Sequence, residues 1–391
     1  MTFEDIKKLD DDHVMHTYGR HQIAIEKGKG ATCYDPAGKA YIDFTSGIGV
    51  NALGFADTDW VAAVTAQLNK LQHISNLYYT EPCAQVAKLL CEKSGMKKVF
   101  FGNSGAEANE GVIKAARKYS FQKYGEGRNK IVALENSFHG RTMAALSATG
   151  QAVYHNFFFP FVDGFVFAQA NNVEDTLSKL TDDVCAVMME MVQGEGGVMP
   201  LEKEYVQAVY AACQEKDILF IVDEVQTGIG RTGSFYSYQQ FGIQPDLVSS
   251  AKGLGGGLPI GAVLFGEKTA DVLVPGDHGS TFGGNPVVCA GSVEILNRMD
   301  AAFLQEVAKK GAYLKEELLK MPHVTSVAGM GMMLGIELDT DVKPIVNTLM
   351  ENGLLVLTAK HKMRLLPPLN ITQEELEQGL AILKNTLETI E

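Results

Sequence analysis

Asp246-Leu-Val-Ser-Ser-Ala-Lys252 runs directly into Gly253-Leu-Gly-Gly-Gly257. The first run is short, apolar in its middle and bounded by polar residues, so it reads as a buried strand. The second has four glycines in five positions and reads as a loop. Lys252 therefore stands at the carboxyl end of a buried strand. There its amine loses part of its water, which favours the neutral form. A neutral amine attacks carbonyls and forms a Schiff base. A surface lysine after a strand is the commoner meaning of one such residue, so the rest of the chain must decide.

The same strand-then-loop pattern recurs. Lys98-Val-Phe-Phe101, Lys130-Ile-Val-Ala-Leu134, Gly164-Phe-Val-Phe167, Val184-Cys-Ala-Val-Met188, Ile218-Leu-Phe-Ile-Val222 and Leu247-Val-Ser249 alternate with helical patterns. Several are apolar at consecutive positions, the mark of strands buried on both faces. The expected fold class is α/β: a mostly parallel central sheet with helices on both faces, plus a smaller α+β unit. Ligands of such sheets bind outside the carboxyl ends of the strands. Residues 59–299 are expected to form the large unit and 300–391 the small one, with 1–58 contributing to the small unit. In the N-terminal part, residues 2–11 suit a short amphipathic helix. Asp35-Pro-Ala-Gly38 reads as the turn of a hairpin between residues 31–34 and 39–44. Near the other end, strands are expected around 331–338, 354–357 and 363–366. The final helix starts at about Gln373, behind a Thr372/Glu375 capping box.

Composition narrows the function. A chain of 391 residues with 46% hydrophobic and 21% charged residues suits a folded enzyme of more than one core. The net charge of −13 argues against nucleic acid or an anionic membrane as partner. No apolar run reaches membrane-spanning length, and residues 1–10 do not resemble a secretory signal. The six cysteines are scattered without metal-like spacing and read as reduced core residues, which fits the cytoplasm. The nine histidines form no ligand pattern, so no metal site is expected.

The residues that follow the strands carry the chemistry. Gly102-Asn-Ser-Gly-Ala-Glu107 opens a helix, with Ser104 and Glu107 suited to a capping box; its open N–H groups and dipole equally suit a phosphate. In Asn136-Ser-Phe-His-Gly-Arg141, Phe138 suits the face of a flat ring and Arg141 a carboxylate, against a core phenylalanine and a solvated arginine. Asp223-Glu-Val-Gln226 puts a carboxylate at the end of a buried strand, where it needs a partner. A pyridinium N–H, a metal or an internal ion pair would serve. Gly228-Ile-Gly-Arg-Thr-Gly233 matches the dinucleotide fingerprint, but Asp223 and Glu224 just before it would repel a pyrophosphate. In His278-Gly-Ser-Thr-Phe-Gly-Gly-Asn-Pro286, the hydroxyls of Ser280 and Thr281 suit an anion. Together these supply a phosphate cradle, a ring cover, a carboxylate for a ring nitrogen and a lysine for an aldehyde, which are the needs of pyridoxal 5'-phosphate.

Over nearly its whole length the sequence resembles the class III, fold-type I pyridoxal-phosphate aminotransferases. The match is carried by Phe101-Gly-Asn-Ser-Gly-Ala-Glu-Ala-Asn-Glu110, Phe138-His-Gly-Arg141, Gln193-Gly-Glu-Gly-Gly197, Asp223-Glu-Val-Gln-Thr-Gly228, Gly230-Arg-Thr-Gly233, Ala251-Lys-Gly-Leu-Gly-Gly-Gly257 and Gly279-Ser-Thr-Phe-Gly-Gly-Asn-Pro286. The resemblance implies that Lys252 is the Schiff-base lysine, that Asp223 binds the pyridine nitrogen and that Gln226 approaches the ring hydroxyl. It implies Phe138 on the ring face, Ser104, Gly105 and Ala106 on the phosphate, and Glu224 and Val225 beside the cofactor. Thr281 would reach the phosphate of a neighbouring subunit, which makes the protein a homodimer with a shared active site. Arg141 and nearby Ser280 would bind one substrate carboxylate and Arg364 another. Glu195 would neutralise Arg364 and swing away when a second carboxylate arrives. The implied reaction is transamination of N2-acetylornithine with 2-oxoglutarate; succinylornithine, ornithine and 4-aminobutyrate remain open as amine donors. One departure is visible: Phe55 stands where relatives usually carry His, and Ala56-Asp-Thr-Asp-Trp60 after it is also unusual.

Overall fold

Seven apolar runs become the strands of one sheet: β1 (Lys98–Gly102), β2 (Lys130–Leu134), β3 (Phe165–Ala168), β4 (Val184–Met189), β5 (Leu219–Asp223), β6 (Leu247–Ser250) and β7 (Gly261–Phe265). They lie in the order β1-β7-β6-β5-β4-β2-β3 in the computed structural model, which describes residues 1–390. The pairs from β6 through β5, β4 and β2 to β3 are parallel. Strand β7 runs antiparallel to both β6 and β1. It is not among the runs read from the sequence, because it emerges straight from the glycine-rich loop that follows Lys252. Its first residue must be small: a Cβ on Gly261 would lie 2.1 Å from the Ser104 carbonyl oxygen.

Successive residues of these strands enter different cores. Val132, Val187, Phe220, Val222 and Val248 pack in one; Ile131, Met188, Leu219, Ile221 and Leu247 pack in the other. Alternation along each strand points side chains to opposite faces, so a sheet covered by helices on both faces needs every position apolar. This is the α/β fold expected from the consecutive apolar positions.

The two ends of the chain meet. The hairpin of Thr32–Tyr34 and Ala40–Asp43 takes Leu354–Leu355 as a parallel edge strand. A further sheet joins Val324–Met330, Met333–Leu338, Lys362–Leu365 and Leu357–Ala359. The expected strand at 331–338 is thus one arm of a hairpin whose other arm, rich in small and polar residues, gave no apolar run. The N-terminal helix spans Phe3–His13 and has no buried residue.

The last helix, Gln373–Leu387, starts at the expected capping box, with Thr372 and Glu375 each binding the other's backbone N–H. Glu375 also accepts hydrogen bonds from Ala31 N–H (3.0 Å) and Thr32 Oγ1 (3.3 Å), so one carboxylate ties the C-terminal helix to the N-terminal hairpin. Removing it leaves several donors unpaired. Glu375→Ala is expected to cost about 1–3 kcal/mol, read as a lowered melting temperature with unchanged catalytic rates.

Candidate active site

Strand ends β2, β5 and β6, the start of the helix Gly105–Tyr124 and the loop after Lys252 enclose a cavity of about 460 Å³. That volume suits one cofactor-sized ligand. Ser104, Gly105, Ala106, Phe138, Arg141, Asp223, Val225, Gln226 and Lys252 all line it. The parallel register sets Asp223 beside Ser249, so the next strand delivers Lys252 to the same opening. Lys252 has φ +45°, a left-handed conformation that a side chain adopts only when its surroundings enforce it. Its amine has no hydrogen-bond or ion-pair partner among the described residues. Burial lowers its pKa to about 8; Glu195, Asp223 and Glu190 oppose that shift, and Arg364 adds to it.

Asp223 is 3% exposed. Its Oδ2 accepts from Asn109 Nδ2 (2.8 Å) and lies 2.7 Å from His139 Nδ1, and its Oδ1 accepts from Val225 N–H (3.0 Å). Asn109 also donates to the His139 carbonyl (2.6 Å), which closes a ring of contacts behind the cavity. Burial opposes charge on His139, yet the hydrogen bond and charge of Asp223, with Glu190 beyond, raise its pKa above the ordinary value. Burial pushes Glu190 up to about 7; the His139 charge pulls it down and Asp223 pushes it further up. Glu190 accepts from Phe138 N–H (3.0 Å) and so fixes the loop that carries Phe138.

Asn109, His139 and Glu190 were not singled out in the sequence, though signals were present. Asn109 follows Gly105 by one helical turn. His139 lies inside a quoted motif. Glu190 is a carboxylate at the end of a buried strand, the same reasoning that selected Asp223.

The phosphate-cradle candidates sit at the helix N-terminus. Ser104 Oγ accepts from Glu107 N–H (3.1 Å), but the reciprocal half of the expected capping box is missing. Glu107 instead accepts from Asn103 N–H (2.8 Å) and Asn103 Nδ2 (2.9 Å), drawn one residue further back. Val225 packs so closely on Gly105 that a Cβ there would lie 2.5 Å from Val225 Cγ1. Glu224, expected beside the cofactor, faces the other way. Strand alternation turns it into the core, where it is fully buried and accepts from Thr227 Oγ1 (2.6 Å), Ser237 Oγ (2.6 Å) and Tyr238 N–H (3.0 Å). Burial lifts its pKa to about 6 against those hydrogen bonds.

The two arginines differ in setting. Arg364 is 2% exposed on the strand Lys362–Leu365 and donates from Nη1 to Glu195 (2.5 Å) and to Gln226 Oε1 (3.1 Å). Burial would raise the Glu195 carboxyl, but Arg364 outweighs it and holds it below its ordinary value. Arg141 is exposed, with its guanidinium over the Tyr154 ring at 4.1 Å and the Phe138 ring at 5.6 Å. Ser280 and Thr281 do not line this cavity. Ser280 Oγ accepts from Asn103 Nδ2 (3.1 Å) on its far side, and Thr281 is exposed.

The family model for class III aminotransferases matches residues 14–387. The chain belongs to the class III aminotransferases. This aminotransferase is 53% identical to the acetylornithine aminotransferase of Haemophilus ducreyi over 390 residues, 99% of each chain. It is 48% identical to that of Caldanaerobacter subterraneus, covering 97% of this chain and 98% of the relative. Among solved structures it resembles the ornithine aminotransferase of Toxoplasma gondii (TM-score 0.95, 32% identity, 99% and 95% coverage). It also resembles the N-acetylornithine aminotransferase of Stenotrophomonas maltophilia (TM-score 0.84, 34% identity, 97% and 98% coverage). It is a transaminase of fold type I that depends on pyridoxal phosphate.

The residues present fit that cofactor on this structure's own terms. A helix N-terminus suits an anion, a carboxylate in a ring of donors suits a ring nitrogen, and an unpartnered amine of lowered pKa suits an aldehyde. The pH dependence of cofactor uptake tests the lysine. With a pKa of about 8 instead of 10.5, the reactive neutral amine becomes dominant near pH 8. The rate at which cofactor-stripped protein takes up pyridoxal phosphate is expected to rise with pH and level off above that value. A rate still climbing steeply at pH 10 would contradict it.

Proposed function

We propose that this aminotransferase moves the far amine of N2-acetylornithine to 2-oxoglutarate, giving N-acetylglutamate 5-semialdehyde and glutamate, in the cytoplasm. Full-length identity to acetylornithine aminotransferases supports this reading. The observation that carries it is the unequal pairing of the two arginines. Acetylornithine brings one carboxylate, remote from the reacting amine; glutamate brings two. Arg141, free of any carboxylate among the described residues, takes the remote carboxylate of either substrate. Arg364 takes the α-carboxylate of glutamate alone, and Glu195 neutralises it at other times. An unpaired buried guanidinium would be costly, so the carboxylate that leaves must be replaced by the one that arrives.

Pyridoxal phosphate, when bound, supplies an aldehyde that accepts the amino group and a ring that takes up the electron pair left by a departing proton. Lys252 Nζ would hold the cofactor through its aldehyde, and this buried amine of lowered pKa is the base that would take the proton from the amine-bearing carbon of the substrate. Asp223, held in place by Asn109 and His139, would pair with the ring nitrogen. Phe138 would cover the ring, Gln226 would approach its hydroxyl, and Ser104, Gly105 and Ala106 would hold the phosphate.

The site is shared by a homodimer in this reading: Thr281 reaches the phosphate held by a second copy. The exposure of Thr281 supports it, as does that of the apolar residues Leu77 (87%), Tyr79 (106%) and Phe282 (61%), which solvent does not favour.

Half-reactions followed by cofactor absorbance test the assignment. Acetylornithine is expected to give the highest kcat/KM among itself, succinylornithine, ornithine and 4-aminobutyrate; a different best donor would replace it. Glu195→Gln is expected to impair the acetylornithine half-reaction on the order of tenfold relative to the glutamate half-reaction, since it leaves Arg364 uncompensated only when one carboxylate is bound. Two unchanged half-reactions would refute the exchange.

A further inference from the structure

Arg141 projects into solvent on a long side chain with many rotamers, yet the reading above requires it to present a fork of N–H groups in one direction. What holds it is aromatic. Its guanidinium carbon lies 4.1 Å from the Tyr154 ring centroid and 5.6 Å from that of Phe138. The two rings themselves meet edge-on, at 5.7 Å and 74°. A guanidinium stacked on a ring uses its face and leaves the in-plane N–H donors free. An ion pair would consume those same donors.

Tyr154 is itself fixed to the loop that carries Arg141. It ends the short turn Ala152–Tyr154. Immediately before the turn, Gln151 Nε2 donates to the Ser137 carbonyl (3.1 Å) and Gly150 N–H to Ser137 Oγ (3.0 Å). Gly150 also accepts from Asn136 N–H (2.7 Å) and lies so close to the end of β2 that a Cβ would come within 2.1 Å of the Leu134 carbonyl oxygen. The two segments are therefore locked together, and the Tyr154 ring keeps one position relative to Phe138 and Arg141.

We propose that Tyr154 is a positioning residue for carboxylate recognition: its ring face holds the Arg141 guanidinium so that the donor edge meets the remote carboxylate of either substrate. This rests on the reading of Arg141 as the carboxylate-binding residue. The phenol hydroxyl has no part in it. Both half-reactions use the same contact, so Tyr154 tunes the affinity of amine donor and of dicarboxylate together and leaves the proton transfer at Lys252 alone.

The test uses the holoenzyme with Tyr154→Leu, Tyr154→Phe and Arg141→Met, measured with acetylornithine and with 1-aminopentane, which has no carboxylate, together with the calorimetric Kd of glutarate. Tyr154→Leu is expected to raise KM for acetylornithine and Kd for glutarate about fivefold, with kcat within about twofold and the 1-aminopentane half-reaction unchanged. Tyr154→Phe, which keeps the ring, should stay within about twofold of the parent in every measurement. In the Arg141→Met background Tyr154→Leu should have no further effect. A Tyr154→Leu enzyme with unaltered KM and Kd, or one whose 1-aminopentane rate and melting temperature fall along with acetylornithine turnover, would overturn the proposal. If Arg141→Met raises the acetylornithine KM and Tyr154→Leu does not, only the role of Tyr154 fails. If Arg141→Met weakens neither acetylornithine nor glutarate, the reading of Arg141 fails and the role of Tyr154 with it.

Discussion

The cavity is organised by one buried carboxylate. Asp223 ends β5 almost without solvent contact, and burying such a group is costly unless donors surround it. The donors come from three separate pieces of chain: Asn109 from the helix after β1, His139 from the loop after β2, and Val225 from the turn just beyond Asp223 itself. Satisfying that carboxylate therefore brings the helix N-terminus, the Phe138 loop and the strand ends to one place. The parallel register of β5 and β6 adds Lys252. A ring nitrogen facing Asp223 would then have the phosphate cradle on one side and the lysine amine on another without further movement.

Charge around this centre is handled in contrasting ways. Lys252 is desolvated and gives up its proton more readily than a free lysine, which suits attack on an aldehyde. Arg364 is buried and matched by a carboxylate that depends on it in turn. Arg141 is solvated and supported by rings alone. An aminotransferase that takes acetylornithine and 2-oxoglutarate must bind two substrates that differ by one carboxylate, and these arrangements suit that need. The buried cation has a carboxylate partner; the exposed one has none among the described residues. The net charge of −13 makes local placement of arginines all the more necessary for anionic substrates.

The sequence by itself determined the sheet and the position of its functional edge. Consecutive apolar residues can be buried on both faces only in a covered sheet, and function then falls at the strand ends. That reasoning found Lys252, Asp223, Phe138 and Arg141 from local pattern, and family resemblance added Arg364 and Glu195. It did not find β7, whose antiparallel course starts inside a glycine-rich stretch. The resemblance implied Glu224 beside the cofactor, whereas its carboxylate turns into the core and is held by Thr227, Ser237 and Tyr238.

Only the tertiary structure decided which residues support the site and how. The contact of Asn109 with Asp223 spans 114 positions and that of Glu195 with Arg364 spans 169, so neither has a periodicity to read. Tyr154 gave no signal at all, since a tyrosine in a short turn looks like any other until the guanidinium is seen lying over it. Backbone patterning is local and is written in the spacing of apolar residues. Side-chain partnership is set by where distant loops arrive, and that depends on the register of strands and the packing of helices throughout the chain.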